Sequence, residues 1–210
     1  MTQSASSDEE RSGQRVILID KKTVYQGYFR VDRYILRHRL FEGGMGPPIS
    51  REIFERGHAA AVIPYDPATG HIALIEQFRP GVYARGVDDP WIVEIVAGVI
   101  EEGEDARNVA IREAAEEAGC HITDIVPALS FYVSPGGSSE HCQGFVGRAD
   151  LSDVGGIHGL EEEGEDIRVF TLPLAAAIEA IDNGMITFLP AIALLQWLAR
   201  HEDEIRAHWR

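Results

Sequence analysis

A chain of 210 residues with 45% hydrophobic and 25% charged residues can bury one ordinary core without a disulfide framework or a structural zinc. Its two cysteines, Cys120 and Cys142, form no CxxC pattern, and its apolar runs fall short of the ~20 residues that span a bilayer. A formal net charge of −15 excludes nucleic-acid polymers and anionic membranes as partners, because both demand a cationic surface.

Residues 1–14 begin with the polar stretch MTQSASSDEERSG, which is expected to be disordered and has no apolar signal-peptide core. With no export signal and no cysteine framework, the cytoplasm is the expected compartment. Arg15–Leu40 alternates apolar and polar residues and is rich in Val, Ile, Tyr and Phe, as strands are. The loop EGGMGPPIS, residues 42–50, marks the junction with a main domain. A small N-terminal antiparallel β subdomain is accordingly bounded at 15–53, and the main domain at 54–210.

The main domain opens with strands His58–Tyr65 and His71–Phe78 around the turn DPATG, a hairpin pattern. A loop, Arg79–Pro90, leads to a strand over WIVEIVAG. A helix is predicted over Asp105–Ala118, then strands over Pro127–Ser134 and His141–Ala149. Asp150–Glu165 is a Gly- and Glu-rich loop, followed by the strand IRVFTL. A helix over Leu172–Gly184 stops at Asn-Gly, and a longer one starts at Leu189. Trp91 and Trp197 read as core residues. Mixed strands with flanking helices predict an α+β fold, an α/β/α sandwich with a mixed sheet.

The helix from Asp105 carries the chemistry. Ile111, Ala114, Ala115 and Ala118 fall at i, i+3, i+4 and i+7, which predicts one face against the sheet. Glu113, Glu116 and Glu117 would share the opposite face. Like charges at this spacing destabilise a helix by roughly 0.2–0.5 kcal/mol per pair, a cost that a bound cation offsets. Carboxylate oxygens suit Mg²⁺ or Mn²⁺. A bare ExxEE is equally the pattern of a solvated acidic face, so the flanking residues decide.

Those flanks, Gly98 to Cys120, fit GX5EX7REUXEEXGU at Gly98, Glu104, Arg112, Glu113, Glu116, Glu117 and Gly119. Only the two aliphatic positions, Ala114 and Cys120, are smaller than the pattern prefers. The segment resembles the Nudix box, and the chain is identified as a member of the Nudix hydrolases, which cleave nucleoside diphosphates linked to another group. The segments REIFERGHAA, IEQFRP, VEIVAGVIEEGE, LSFYVSPGGSSE and GIHGLEEEGEDIRV resemble the family's bacterial ADP-ribose pyrophosphatases, from about Tyr25 to Trp197.

The resemblance implies metal-dependent hydrolysis of ADP-ribose to AMP and ribose 5-phosphate. It implies Glu113, Glu117, Glu165 and the Ala97 carbonyl as metal ligands for Mg²⁺, with Mn²⁺ as the alternative. Arg112 and Glu104 would orient the carboxylates through a salt bridge, with Glu116 beside the site. Glu163 is the expected general base, although the run Glu161, Glu162, Glu163, Glu165 leaves that assignment open by one residue. Tyr28 and Phe29 would face adenine. Arg51 and Glu52 would reach substrate from a partner subunit, while Arg56 and Arg79 would hold phosphates. Val99, Ser134, Pro135, Gly136 and Glu140 would line the ribose end. A homodimer with exchanged N-terminal subdomains is also implied, as is the small nucleotide-sugar substrate.

Three other readings compete. Another sugar nucleotide such as GDP-mannose would use the same machinery. A catalytically silent sensor would have a damaged box and an added DNA-binding domain, and an RNA 5′-end hydrolase would need a basic surface. The sequence carries an intact box and no basic patch.

Overall fold

A computed structural model describes residues 14–210, the side chain of Glu163 excepted. The expected tail over residues 1–13 lies outside the described residues. Contacts divide the chain into two compact units. The smaller contains the described residues up to Arg56 together with Ser134–Glu140, and the larger contains Gly57–Val133 and His141–Arg210.

In the smaller unit β1 (Val16–Gln26), β2 (Arg30–His38) and β3 (Ile49–Glu55) form an antiparallel sheet with β2 in the middle. β3 begins inside the stretch 42–50 that was expected to be loop, because Ile49 pairs with Leu36. The segment Ser134–Glu140 attaches through Phe54, whose N–H donates to the Gly137 carbonyl at 2.8 Å. The sheet centre carries a buried charge: Asp32 is 1% exposed. Its carboxylate accepts from the Thr23 hydroxyl at 2.7 Å and pairs with Lys21 at 3.1 Å and Arg30 at 3.2 Å. That hydrogen bond, with the two cations, holds its pKa below the usual carboxylate range.

The larger unit is built on β4 (His58–Asp66) and β5 (His71–Phe78). The hairpin turn is fixed by Asp66, which accepts from the Ala68 N–H and the Thr69 hydroxyl, both at 2.8 Å. The two strands pair only next to the turn, at Tyr65–Ile72 and Asp66–His71. Beyond it they separate, and the chain of β6 (Trp91–Glu94) and β7 (Val96–Ile100) fills the gap. β6 pairs with β5 and β7 with β4, so the expected single strand over WIVEIVAG changes partner at the fully buried Ile95. The preceding loop contains a short helix, α1 (Pro80–Ala84). Trp91, expected in the core, is 52% exposed, because it stands at the outer end of β6 against Phe78, ring centres 5.5 Å apart.

The sheet continues through β9 (His141–Arg148), which is parallel to β4, to β8 (Asp124–Tyr132). On the other side β11 (Ile167–Pro173) pairs with β5, and β10 (Gly156–His158) pairs with β11. Alternation along β4 sends its residues to two cores. Ala60 and Val62 meet α2 (Ala106–Ala118). Ala61, Ile63 and Tyr65 meet α3 (Leu174–Asp182) and α4 (Leu189–His208). This is a mixed sheet between helical layers. Trp197 packs, partly buried, on the α3–α4 side, and both cysteines are buried. Among the described residues, no helix is long and apolar enough to cross a membrane.

Candidate active site

The helix α2 is fixed at both ends. Asp105 caps it, its side chain accepting from the N–H groups of Arg107 at 3.0 Å and Asn108 at 3.2 Å. Gly119 ends it in the left-handed region at φ 61°, and the Cys120 N–H returns to the Ala114 carbonyl at 2.8 Å. The buried residues are Ala106, Val109, Ala110, Ala114, Glu117 and Ala118. The expected face is therefore rotated: Ala115 is exposed, Glu117 joins the apolar stripe, and Glu113 is half-buried. Small residues at 106, 110, 114 and 118 let the helix sit close to the sheet, and that brings its carboxylates under cover.

β7 receives them. The Glu113 carboxylate lies against Gly98, in the space that any β-carbon at position 98 would occupy. The Glu117 carboxylate accepts the Ala97 N–H at 3.0 Å. Glu117 is 4% exposed. Burial pushes its pKa up to about 8 against the Ala97 hydrogen bond, with the charges of Glu113 and Glu165 adding to the rise. Burial likewise raises Glu113, opposed by Arg112 and reinforced by Glu116 and Glu165.

Arg112 bridges two of the carboxylates, reaching Glu113 and Glu116 at 2.9 Å each. Burial works against its charge, yet these partners and the more distant Glu104 raise its pKa. The expected Arg112–Glu104 bridge is replaced: Glu104 instead accepts the Glu101 N–H at 2.9 Å, closing the turn before α2. Glu165 turns its carboxylate to the Leu160 N–H at 3.1 Å. Glu163 lies in a 3₁₀ turn, Glu161–Glu163, and its side chain is outside the described part of the structure.

Arg79 sits at the end of β5. Its Nε and Nη2 form a fork on Glu94, at 2.8 and 2.7 Å, which leaves both N–H groups of Nη1 and the second of Nη2 as further donors. The hydrogen bond to Glu94 raises the Arg79 pKa, and the charges of Glu117 and Glu165 add to it. Glu94 is 1% exposed and was missed as a site residue. Its signal was a lone carboxylate in the apolar run WIVEIV, which a buried strand carries only with a partner.

The other expected substrate residues divide between the units. Val99 is in the larger one, 44% exposed. In the smaller one, Tyr28 is 95% exposed and meets Phe29 edge-on at 4.8 Å; Phe29 in turn rests on Phe54. Arg51 and Glu52 are exposed on β3, with Arg51 donating to the Ser50 carbonyl at 2.7 Å. Arg56 pairs with Glu140 at 3.1 Å. Ser134, Pro135 and Gly136 form an exposed turn, in which the Ser134 carbonyl accepts from Ser138 at 2.9 Å.

Among the described residues, no three His, Cys, Asp or Glu side chains are gathered as a formed metal cluster. The donors nevertheless suit a hard divalent ion. Glu117 is a buried carboxylate whose strongest compensation is one backbone N–H, and Glu113, Glu117 and Glu165 each lie within the electrostatic reach of the others. Carboxylate oxygens clustered in this way are donors that Mg²⁺ or Mn²⁺ binds.

The NUDIX domain model matches residues 55–192. The chain is 45% identical over 194 residues to the ADP-ribose pyrophosphatase of Escherichia coli K12, with 92% of each protein covered. It is 36% identical to that of Haemophilus influenzae, covering 95% of this chain and 93% of the relative. A GDP-mannose pyrophosphatase of Pectobacterium atrosepticum is 31% identical, covering 85% and 91%. A crystal structure of an ADP compounds hydrolase superposes with a TM-score of 0.69 at 20% identity, covering 92% of this chain and 97% of that one, a likeness of fold. With the box residues gathered on α2 and β7, and with a domain match over most of its length, the chain belongs to the NUDIX family.

Proposed function

We propose that this protein hydrolyses the pyrophosphate bond of ADP-ribose to AMP and ribose 5-phosphate, with Mg²⁺ or Mn²⁺ as cofactor. The observation that carries the substrate is the 45% identity across 92% of both chains to ADP-ribose pyrophosphatases, against 31% for a GDP-mannose pyrophosphatase. The burial of Glu117 and Glu113 beside β7 supports the metal face.

Glu113, Glu117, Glu165 and the Ala97 carbonyl hold the cation, which when bound neutralises pyrophosphate charge and acidifies a water. Glu163 takes the proton of the attacking water as one P–O bond of the anhydride breaks. Arg112 keeps Glu113 and Glu116 in place. Arg79 offers Nη1 to a phosphate oxygen, and Arg56 is a second phosphate ligand once it exchanges Glu140 for substrate. Tyr28 and Phe29 stack on adenine, Arg51 and Glu52 reach the substrate of a partner subunit, and Val99, Ser134, Pro135, Gly136 and Glu140 contact the ribose end. The protein acts as a cytoplasmic homodimer that exchanges its small sheets. The exposed apolar residues of β1 support this: Val16, Leu18 and Tyr25 are 56%, 55% and 61% exposed.

The GDP-mannose relatives favour a second reading, the same chemistry on another sugar nucleotide. A turnover panel of ADP-ribose, GDP-mannose, diadenosine polyphosphates and NADH, with Mg²⁺ and with Glu117→Gln as control, separates the two. A strong preference for ADP-ribose that Glu117→Gln abolishes is expected. A preference for GDP-mannose would replace the substrate and keep the metal face. Equal turnover by Glu117→Gln would remove the metal face itself.

A further inference from the structure

Two glycine positions and one imidazole join the parts of the site that come from distant stretches of sequence. The His158 ring packs directly on Gly119, and its Cε1 lies 2.6 Å from where a β-carbon at position 119 would stand. Gly119 therefore serves two needs: it takes the left-handed conformation that ends α2 (φ 61°), and it leaves room for the ring. The ring is oriented by a hydrogen bond between Nε2 and the Gly155 carbonyl at 3.0 Å. His158 is the last residue of β10, where it pairs with Ile167.

The next residues continue the connection. The Gly159 N–H donates to the Glu116 carbonyl, on the last turn of α2, at 3.4 Å. Gly159, at φ 100°, lies so close to Glu165 that a β-carbon there would stand 2.7 Å from that of Glu165. The Leu160 N–H then holds the Glu165 carboxylate at 3.1 Å. A short path thus runs from the end of the helix that bears Glu113 and Glu117, through the His158 ring, to the carboxylate of Glu165.

We infer that His158 is a positioning residue: wedged against Gly119, it fixes the 159–165 loop to the end of α2 and so sets Glu165 in register with Glu113 and Glu117. The inference rests on the metal-face reading given above, and it assigns His158 no contact with substrate. An exposed Gly- and Glu-rich loop has little apolar surface to hold it, since Glu161, Glu162 and Gly164 are exposed. Without the ring the loop keeps only weak backbone contacts and gains conformational freedom.

The test compares His158→Ala and His158→Gln with the wild type by two measurements. The first is hydrogen exchange of the amides of residues 159–165 in the metal-free protein. The second is steady-state hydrolysis of ADP-ribose with Mg²⁺. Residues that orient metal ligands from outside typically cost about 10–100-fold when removed. His158→Ala is therefore expected to lower kcat by that factor with KM within about twofold, and to speed loop exchange by about tenfold or more. His158→Gln keeps a donor for the Gly155 carbonyl and is expected to recover part of both effects. Unchanged loop exchange in His158→Ala overturns the inference, whether or not kcat falls. Faster exchange with wild-type kcat overturns the catalytic part. If the wild type hydrolyses no ADP-ribose, the functional reading fails, while the exchange measurement still decides whether His158 holds the loop.

Discussion

Glu113 and Gly98 occupy complementary space: the carboxylate of one lies where the side chain of the other would be. Gly98 carries no positive φ, so its requirement is for room and not for backbone freedom. Gly98→Ala must push Glu113 off β7. A displacement of about 1 Å in a positioned group can cost about 10²-fold in rate, and a loss of that order in kcat is expected. Circular dichroism and thermal melting of the variant should show a folded protein. Full activity in Gly98→Ala would mean that Glu113 works from another position.

Glu117 makes the metal-free protein sensitive to base. Its folded pKa, about 8, lies above the ordinary carboxylate value. A raised pKa means that the native state holds a proton which the unfolded chain releases. Its contribution to stability is thus complete below the unfolded carboxylate pKa and is lost as pH rises through about 8. In EDTA, the melting temperature of the wild type should fall between pH 5 and pH 9 more steeply than that of Glu117→Gln, which cannot ionise there. Added Mg²⁺ should reverse the fall at high pH, because the ion binds the deprotonated carboxylate. Parallel pH profiles for the two proteins would show that Glu117 is not the titrating group.

Arg79 and Glu94 lock the end of β5 to β6. Glu94 is 1% exposed while its partner is partly open to solvent. Arg79→Ala leaves a buried carboxylate without its fork, a loss of about 3–5 kcal/mol for a fully buried pair and somewhat less at this half-open one. Arg79→Ala/Glu94→Gln should regain part of that stability without regaining activity, since the Nη1 donor proposed for phosphate is still missing. Urea melts of the four proteins of this cycle measure the coupling. Additive losses would mean that the two side chains act independently.

The sequence made α2 legible because seven residues at fixed spacing leave little freedom, and Asp105 and Gly119 mark its ends. The same spacing did not reveal which side is buried. Ala115 fits an i, i+3, i+4 stripe as well as Ala110 does, and only the close approach of β7 decides for Ala110 and Glu117. Glu94 was hidden by the expectation that a strand through Ile95 keeps one partner, whereas the separation of β4 from β5 makes it change partners there. The attachment of Ser138 to Phe54 joins positions 84 residues apart, and no local periodicity records such a pairing. The three-residue β10 is too short to show alternation, and the glycines in and beside it, 155, 156 and 159, read locally as loop.

The small sheet leads to the last prediction, a dimer. β1 is exposed along almost its whole length, and as an edge strand it also presents unpaired backbone groups. A strand with this many open apolar residues is a liability in a monomer, and pairing with a second copy removes it. Sedimentation equilibrium should give twice the chain mass of 23.2 kDa. Leu18→Asp places a charge on that strand without disturbing the buried Asp32 cluster, and it should shift the protein toward monomer. If Arg51 and Glu52 do act on the partner's substrate, the monomer should lose affinity for ADP-ribose in the same concentration range in which it dissociates. A Leu18→Asp protein that sediments as a dimer would place the interface elsewhere, and a monomeric wild type with full activity would remove the shared site.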